Sequence, residues 1–323
     1  MDATLAPDPT AITLAPGRPQ THGGITVVPL LAAAPPRADY ITLGEALPQG
    51  FTITEVDDAG RVPELLVGNP LERDVLLYDG EEVVGAKQNR VLEASILVAA
   101  GAAHPIPVAC VEAGRWHGPS GGFTAADRVS HPESRRRKAA VLEDAPLAQG
   151  VAQSAVWREI DERIHETGTH AATRALADVH ETERDRIDAV AGSFELVDGQ
   201  CGAILALGDG LCLDLVSRPD AWTALWPKIR RGYLLDGVRH VADDPTPQDL
   251  VDRFVERVIA AGRTSRPSPG RGDDQRLHGP SVSGAALVLD GEVIQLSAYT
   301  RGGDGPTTLG ERGRIARPSR RHR

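Results

Sequence analysis

The chain has 323 residues and a formal net charge of −10; 41% of its residues are hydrophobic but only 4% are aromatic. This length suits one large domain or two smaller ones, with a core built mainly of Val, Leu, Ile and Ala. The acidic balance argues against a general nucleic-acid or membrane-surface binder. The basic stretch 301–323 is predicted to be a flexible tail.

The cysteines and the apolar segments bear on the cellular compartment. Cys110, Cys201 and Cys212 form no Cys-x-x-Cys pair, which favours a reducing compartment without a disulfide framework. The first residues show no basic stretch followed by an apolar run, so we expect no signal peptide. The most continuous apolar run, 94–103, has about half of the roughly 20 residues that a membrane helix needs. We therefore predict a soluble, cytoplasmic protein.

The first third of the chain is rich in short strands. Residues 1–22 contain several prolines and no hydrophobic period, which predicts a flexible lead-in. Within the β-rich part, 23–117, the dipeptide Asp79-Gly80 predicts a two-residue hairpin, because it tolerates positive φ at both turn positions. The segments predicted as strands are 25–31, 40–47, 51–56, 65–67, 75–78, 81–84, 90–98 and 106–112.

The middle of the chain, residues 130–192, has helical periodicity. Val156, Ile160 and Ile164 recur at a spacing of four, which predicts an amphipathic helix over Ser154–Glu166. Residues 134–138 can begin a shorter helix. Helical character with many charges continues over 172–190, and the charges are most simply a solvated face.

Hairpin signals return in the last part, residues 200–300. Gly208–Gly210 and Asp290-Gly291 each separate two apolar segments and predict two further hairpins. Arg266–Gly279 is rich in Pro, Gly and charge and is predicted to be a loop. No clear linker interrupts residues 23–300. The sequence therefore predicts one α+β domain with an antiparallel β-rich N-terminal part (a sandwich or partial barrel), middle helices and a C-terminal α/β part with hairpins.

Two helices are predicted within this last part. The first carries Trp222 and Trp226. The second has Thr246 as its candidate cap and Pro247 at its first helical position, since a proline is tolerated there. Gly262 is predicted to end it.

Large polar side chains gather at the ends of apolar strands between Tyr78 and His117. Four of them are consecutive, and such a group between apolar strands needs partners. If the flanking strands pair, Glu112, Arg115 and Trp116 come close to the four consecutive residues Lys87 to Arg90. The candidate site residues are Glu82, Lys87, Gln88, Asn89, Arg90, Glu112, Arg115 and Trp116.

The consecutive polar residues suit a polar, anionic ligand. Lys87 and Arg90 can hold phosphate or carboxylate oxygens, which arginine does in a bidentate fork. Gln88 and Asn89 offer amide groups for ribose hydroxyls or a base edge. Alternation along an extended strand would place Lys87 and Asn89 on one face and would give Arg90 the face of the apolar Leu92. On this geometry Arg90 is the more structural of the two cations.

The carboxylates and the tryptophan complete the hypothesis. Glu82 and Glu112 can bind ribose, accept a proton or help to hold a cation, and Trp116 can stack on a flat ring. The alternative is that Lys87 and Arg90 pair with Glu82 and Glu112 in a structural ion network. The sequence leaves both interpretations open.

The stretch Gly80-Glu81-Glu82-Val83-Val84-Gly85-Ala86-Lys87-Gln88-Asn89-Arg90 resembles a known family. It is similar to the ADP-ribosylglycohydrolase- and rhodanese-phosphatase-superfamily-associated protein domain, a bacterial and archaeal domain of undetermined function. The similarity continues through 107–112 and 115–116, with weaker similarity over most of 24–300. It implies a setting in ADP-ribose and NAD-related chemistry. It supplies no catalytic residues and no cofactor.

Other chemistries have weaker support. Cys110 can be a nucleophile with His104 or His117 nearby, but it also fits as a small buried hydrophobe on an apolar strand. His165 and His170 are five residues apart, which differs from the spacing of a zincin helix, so we predict no metal site. No Gly-x-Gly-x-x-Gly or Walker loop is present.

Two functions from different classes follow. The leading hypothesis is a binding domain for a nucleotide or ADP-ribose-like small molecule, which can also be catalytic. The alternative is a non-enzymatic interaction or scaffold protein, in which an exposed pair formed by Trp222 and Trp226 would meet a partner.

Overall fold

The structure is a computed structural model that describes residues 15–32, 34–57, 63–114, 122–143, 153–239 and 244–301. The helices in these ranges are α1 (Leu43–Ala46), α2 (Pro132–Leu142), α3 (Gln153–Thr167), α4 (Leu176–Thr182), α5 (Arg184–Ala191), α6 (Pro219–Gly237) and α7 (Gln248–Ala260). The strands are β1 (Ala15–Pro16), β2 (Gln20–His22), β3 (Ile25–Leu31), β4 (Tyr40–Thr42), β5 (Thr52–Glu55), β6 (Glu64–Gly68), β7 (Asp74–Leu77), β8 (Glu81–Gly85), β9 (Arg90–Leu92), β10 (Ile96–Val98), β11 (Ala103–Cys110), β12 (Phe123–Val129), β13 (Gln200–Leu207), β14 (Gly210–Val216), β15 (Gly262–Pro267), β16 (Asp273–His278), β17 (Val282–Leu289) and β18 (Glu292–Thr300).

The N-terminal part is a partial barrel, which confirms the predicted fold class. Six antiparallel strands follow the order β12-β8-β9-β11-β6-β5. The two outer strands come close to each other, since a Cβ atom added to Gly122 would lie 3.2 Å from the carbonyl oxygen of Ile53. Alternate residues such as Ile53, Val83 and Val108 fill the barrel, and β10, β7 and β4 form a small sheet that shares this core.

The predicted hairpin at Asp79-Gly80 is wrong. Strand β7 pairs with β10 and β4, whereas β8 pairs with β12 and β9, so the turn carries the chain from one sheet to another. Gly80 has φ 84° while Asp79 keeps a negative φ, unlike the two positive values that the hairpin needs. The carboxylate of Glu81 stabilises the turn by accepting a hydrogen bond from the Tyr78 amide at 3.0 Å. The predicted strand 90–98 is likewise divided between two sheets, as β9 and β10.

A larger antiparallel sheet forms the second layer, in the order β1-β3-β13-β14-β18-β17-β16-β15, with β2 also on β3. The lead-in predicted over 1–22 therefore needs correction, because residues 15–16 and 20–22 pair with β3. The loop predicted over 266–279 is also wrong, since it contains the end of β15 and all of β16. The hairpin at Asp290-Gly291 is confirmed, with φ 49° and 75° at its two turn residues.

Helices cover both faces of the large sheet. Helix α7 packs Val251, Phe254 and Val258 against one face. It begins one residue later than predicted, because Pro247 takes the cap position and Thr246 instead donates its hydroxyl to the carbonyl of Gly208 at 3.0 Å. Helix α6 covers the other face. The hydrophobic core between α6 and the sheet also contains residues of the partial barrel, so the barrel strands lie beside the helices. The predicted helix over 154–166 is confirmed as α3. That residues 23–300 fold as one cooperative domain stays a prediction.

Candidate functional site

Strand pairing brings the two predicted polar groups together at one end of the partial barrel. Strand β9 pairs with β11 so that Arg90 lies opposite Cys110. Beyond this register, the Val111 amide donates to the Asn89 carbonyl at 3.1 Å, and the Asn89 amide donates to Glu112 Oε2 at 3.3 Å. Residues 23 positions apart in the sequence thus share one hydrogen-bonded cluster.

Glu82 and Asn89 lie on the sheet face that points away from the barrel core. The Asn89 side chain donates to Glu82 Oε1 at 3.4 Å. Arg128, on β12, donates to both oxygens of Glu82, with 2.7 Å from Nε and 2.9 Å from Nη2. Burial alone would lower the pKa of Arg128, but the Glu82 and Asp127 carboxylates raise it above its usual value. Arg128 thus pairs with Glu82, a carboxylate that the alternative ion network assigned to Lys87 or Arg90.

Gln88 and Arg90 occupy the opposite side, towards the barrel core. The Arg90 side chain is completely buried and donates to Gln88 Oε1 at 3.0 Å. Its Nη2 atom lies 3.9 Å from Glu55 Oε1, at the end of β5. Val83, opposite Arg90 in the register, belongs to the barrel core. Arg90 therefore holds this end of the barrel together, as its predicted position beside Leu92 implied.

Lys87 lies at a bend rather than on an extended strand. Ala86 has φ 39°, which few residues other than glycine adopt. The Lys87 amide donates to Glu55 Oε1 at 3.4 Å, and the residue is half-buried. The alternation that would group Lys87 with Asn89 therefore does not apply, because the segment is not extended.

The segment before α4 supports Glu112 from the other side. The Thr173 hydroxyl donates to Glu112 Oε1 at 3.1 Å, and the Gly114 amide donates to the Thr173 carbonyl at 2.9 Å. A Cβ atom on Gly114 would lie only 2.8 Å from the Thr173 Cα, so this approach requires glycine. Thr173 has no motif in the sequence that would have singled it out.

A glutamine completes the scaffold of the site. The Gln153 side chain, at the start of α3, accepts from the Cys110 amide at 2.7 Å and donates to the Cys110 carbonyl at 2.8 Å. Its carboxamide thus takes the place of a neighbouring strand at the end of β11, two residues before Glu112. This side chain fixes the strand that carries the candidate carboxylate, and sequence reasoning missed it.

Two of the predicted site residues, Arg115 and Trp116, lie outside the described residues, as does His117. The described chain reaches Gly114 beside Thr173 and resumes at Gly122 beside Gly85. Of these two described positions, Gly114 is connected to the cluster, because Thr173 also donates to Glu112. The role of Arg115 and Trp116 stays a prediction.

The environment of Cys110 does not favour a nucleophile. The thiol of Cys110 is buried, and burial raises its pKa to about 11, although the charge of Arg90 opposes this shift. A thiol that keeps its proton at neutral pH is a poor nucleophile. Among the described residues, no group of three or more His, Cys, Asp or Glu side chains could hold a metal ion. No helix in the same ranges is long and apolar enough to span a membrane.

A second polar network lies buried between the layers and was also missed. The carboxylate of Asp214 accepts hydrogen bonds from Tyr78 at 2.6 Å, Tyr233 at 2.9 Å and Ser297 at 2.7 Å. Arg135 adds two more, at 2.7 and 2.9 Å. Beside this network is a cavity with about 10 Å³ of space for the centre of a water molecule, enough for roughly one water. We interpret the network as structural, because at least five hydrogen bonds from four side chains hold the buried Asp214 carboxylate.

The comparison with known families agrees with the motif. A model of the ARG and Rhodanese-Phosphatase-superfamily-associated Protein domain matches residues 13–299 and confirms the resemblance that the Gly80–Arg90 stretch carries. The family name suggests an association with ADP-ribosylglycohydrolases and the rhodanese-phosphatase superfamily. No curated protein and no solved structure matches the chain.

Proposed function

The chain belongs to this family, and we propose that it binds a nucleotide or an ADP-ribose-like small molecule at the end of the partial barrel. The supporting observation is the position of Asn89, which joins the carboxylates of Glu82 and Glu112 through hydrogen bonds of 3.4 and 3.3 Å. This arrangement brings two carboxylates and an amide together, and Arg115 and Trp116 follow Glu112 closely in the sequence.

The residue types match the parts of such a ligand. Carboxylate oxygens accept hydrogen bonds from ribose hydroxyls, and Asn89 can act as donor and acceptor. In this proposal Lys87 and Arg115 hold phosphate oxygens, and Trp116 stacks on a flat ring. Gln88 and Arg90 have a structural role in this proposal: they stabilise the end of the barrel that carries the ligand-facing residues.

The alternative, an interaction or scaffold protein, loses the observation that favoured it. Trp222 is completely buried and Trp226 is 4% exposed. Their rings stack on each other at 5.7 Å inside the helix-covered core. A pair that is buried in the monomer offers no surface to a partner.

A thermal-shift experiment with ADP-ribose, NAD, ADP and AMP tests the proposal. A ligand at a hundred times its Kd adds about 2.7 kcal/mol to the free energy of unfolding. We expect this stabilisation from at least one compound, and we expect Glu112→Gln to remove it. Glu162→Gln, an exposed change on α3, should keep it. Absence of stabilisation with all four compounds would overturn the proposal, and product analysis of the same samples shows whether the bound compound is consumed.

A further inference from the structure

His180 is a buried histidine whose ring is not fully hydrogen-bonded. It lies on α4 and is 8% exposed, and no partner within the described ranges reaches its Nε2 atom. It follows Leu176 by four residues, so both side chains are on the helix face that packs inward. A buried polar atom without a partner usually has a functional or structural reason.

The charges that face His180 are positive, and they come from several elements. Burial first, and then these charges, lower the pKa of His180 well below its usual value. Each of the arginines among them is already paired with at least one carboxylate, and these carboxylates are engaged away from His180. The arginines and their partners are Arg128 from β12 with Glu82, Arg163 from α3 with Glu159 and Asp236, and Arg231 from α6 with Asp127 and Asp188. The fourth group is His131, before α2, whose ring is hydrogen-bonded to Glu159.

The acidic groups on α4 and just after it do not lower the free-energy cost of protonating His180. Glu183 is 2% exposed and pairs with Arg186 and Arg239. Glu181 pairs with Arg184 at the surface. Asp178 is only half-buried, and it is not among the groups whose charge acts most strongly on His180. A proton on His180 therefore enters a positive and poorly hydrated environment.

Helix α4 is directly connected to the candidate site. Its first residue, Leu176, donates its amide to the Val111 carbonyl at 3.0 Å. Ala175 forms an isolated antiparallel bridge with Glu112, and Thr173 donates to the Glu112 carboxylate. Displacement of α4 would thus break the contacts that hold Glu112 beside Asn89.

We propose that His180 makes the ligand site acid-sensitive: protonation of its buried ring releases α4 and, with it, the segment 173–176 that positions Glu112. A histidine in an opened segment titrates near pH 6.5, whereas the packed ring stays neutral to lower pH. Well above about pH 6.5 both states are neutral and the packed state has its full stability. As the pH falls below about 6.5, only the open state gains the proton, so the equilibrium constant for opening rises by a factor that approaches about tenfold per pH unit.

Hydrogen exchange of the ligand-free protein tests whether protonation of His180 opens α4. We expect the opening constant of residues 173–182, corrected for intrinsic exchange, to rise about fivefold between pH 6.5 and 5.5, while the amides of β13 and β14 keep their protection. His180→Gln and His180→Leu should remove the rise, and His165→Gln, an exposed change on α3, should keep it. The proposal is overturned if the opening constant of the wild type does not change with pH, or if protection is lost uniformly. It is also overturned if the opening constant rises equally in either His180 variant. If neither variant folds, the wild-type and His165→Gln profiles decide it.

The link to ligand binding rests on the proposed function and has its own measurement. Because affinity scales with the fraction of protein in the packed state, thermal shift with ADP-ribose should show it falling by up to about tenfold between pH 7.5 and 5.5 in the wild type, and little in His180→Gln. If ADP-ribose gives no shift at pH 7.5, the proposed function fails for this ligand, while the exchange experiment still decides the role of His180. If ADP-ribose binds equally at both pH values, the coupling to the site is refuted.

Discussion

Replacing Arg90 by alanine separates a structural role from a ligand-binding role. The Arg90 side chain is completely buried, donates to Gln88 and lies 3.9 Å from Glu55, whose side chain is only 12% exposed. Removing one partner of a buried ion pair costs about 3–5 kcal/mol, and we take about 3 because Glu55 keeps some contact with water. A chain of this size loses roughly 2 °C of Tm per kcal/mol, so we expect Arg90→Ala to lower Tm by about 6 °C.

The assay is the melting temperature of the ligand-free protein, with two comparisons. Lys87→Ala should cost less than about 1 kcal/mol, because Lys87 is half-buried at a bend. Arg73→Ala, which removes a surface ion pair with Asp39, should cost no more than about 1 kcal/mol. If Arg90→Ala melts within about 1 °C of the wild type, the structural interpretation of Arg90 is refuted. If Lys87→Ala melts as low as Arg90→Ala, Lys87 is part of the scaffold and leaves the proposed site.

Two further predictions concern buried charges away from the site. Arg135→Ala leaves the fully buried Asp214 carboxylate without its cation, so we expect a loss of about 5 kcal/mol by urea unfolding, and adding Asp214→Asn should recover part of it. Burial opposes ionisation of Glu159, but His131 and Arg163 lower its pKa to about 2. Its stabilisation is therefore complete above pH 4.5 and is lost as the pH falls towards 2. Glu159→Gln should remove about 3 kcal/mol of acid-dependent stability over this range, and an unchanged pH profile would contradict the assignment.

The sequence predicts the site where local pattern and strand pairing agree. Polar residues that end neighbouring antiparallel strands must meet, and Asn89 and Glu112 do. The local pattern at Asp290-Gly291 likewise matches a hairpin, because the two strands that flank it pair directly with each other. Asp79-Gly80 shows the limit: the dipeptide correctly indicates a turn, but it does not contain the information that β7 and β8 enter different sheets.

The sequence also could not predict that Glu82 pairs with Arg128, because local pattern does not show which strands pair. The two residues are 46 positions apart, and their contact depends on β12 pairing with β8 across the segment that contains β9, β10 and β11. A charged residue within an alternating strand looks the same whether it faces solvent or a buried carboxylate. Gln153 is a similar case, because a glutamine at a helix start gives no sign that it replaces a strand.

The pairing of Glu82 with Arg128 also limits how the proposed ligand can bind. All three nitrogens of the Arg128 guanidinium donate to carboxylates, Nε and Nη2 to Glu82 and Nη1 to Asp127 at 3.3 Å. A phosphate that took over this arginine would leave the almost fully buried Glu82 without its cation, at a cost of several kcal/mol. Phosphate oxygens in the proposed complex therefore belong with Lys87 and Arg115. The carboxylates and Asn89 are left for groups that donate hydrogen bonds, which in a nucleotide are the sugar hydroxyls and the base.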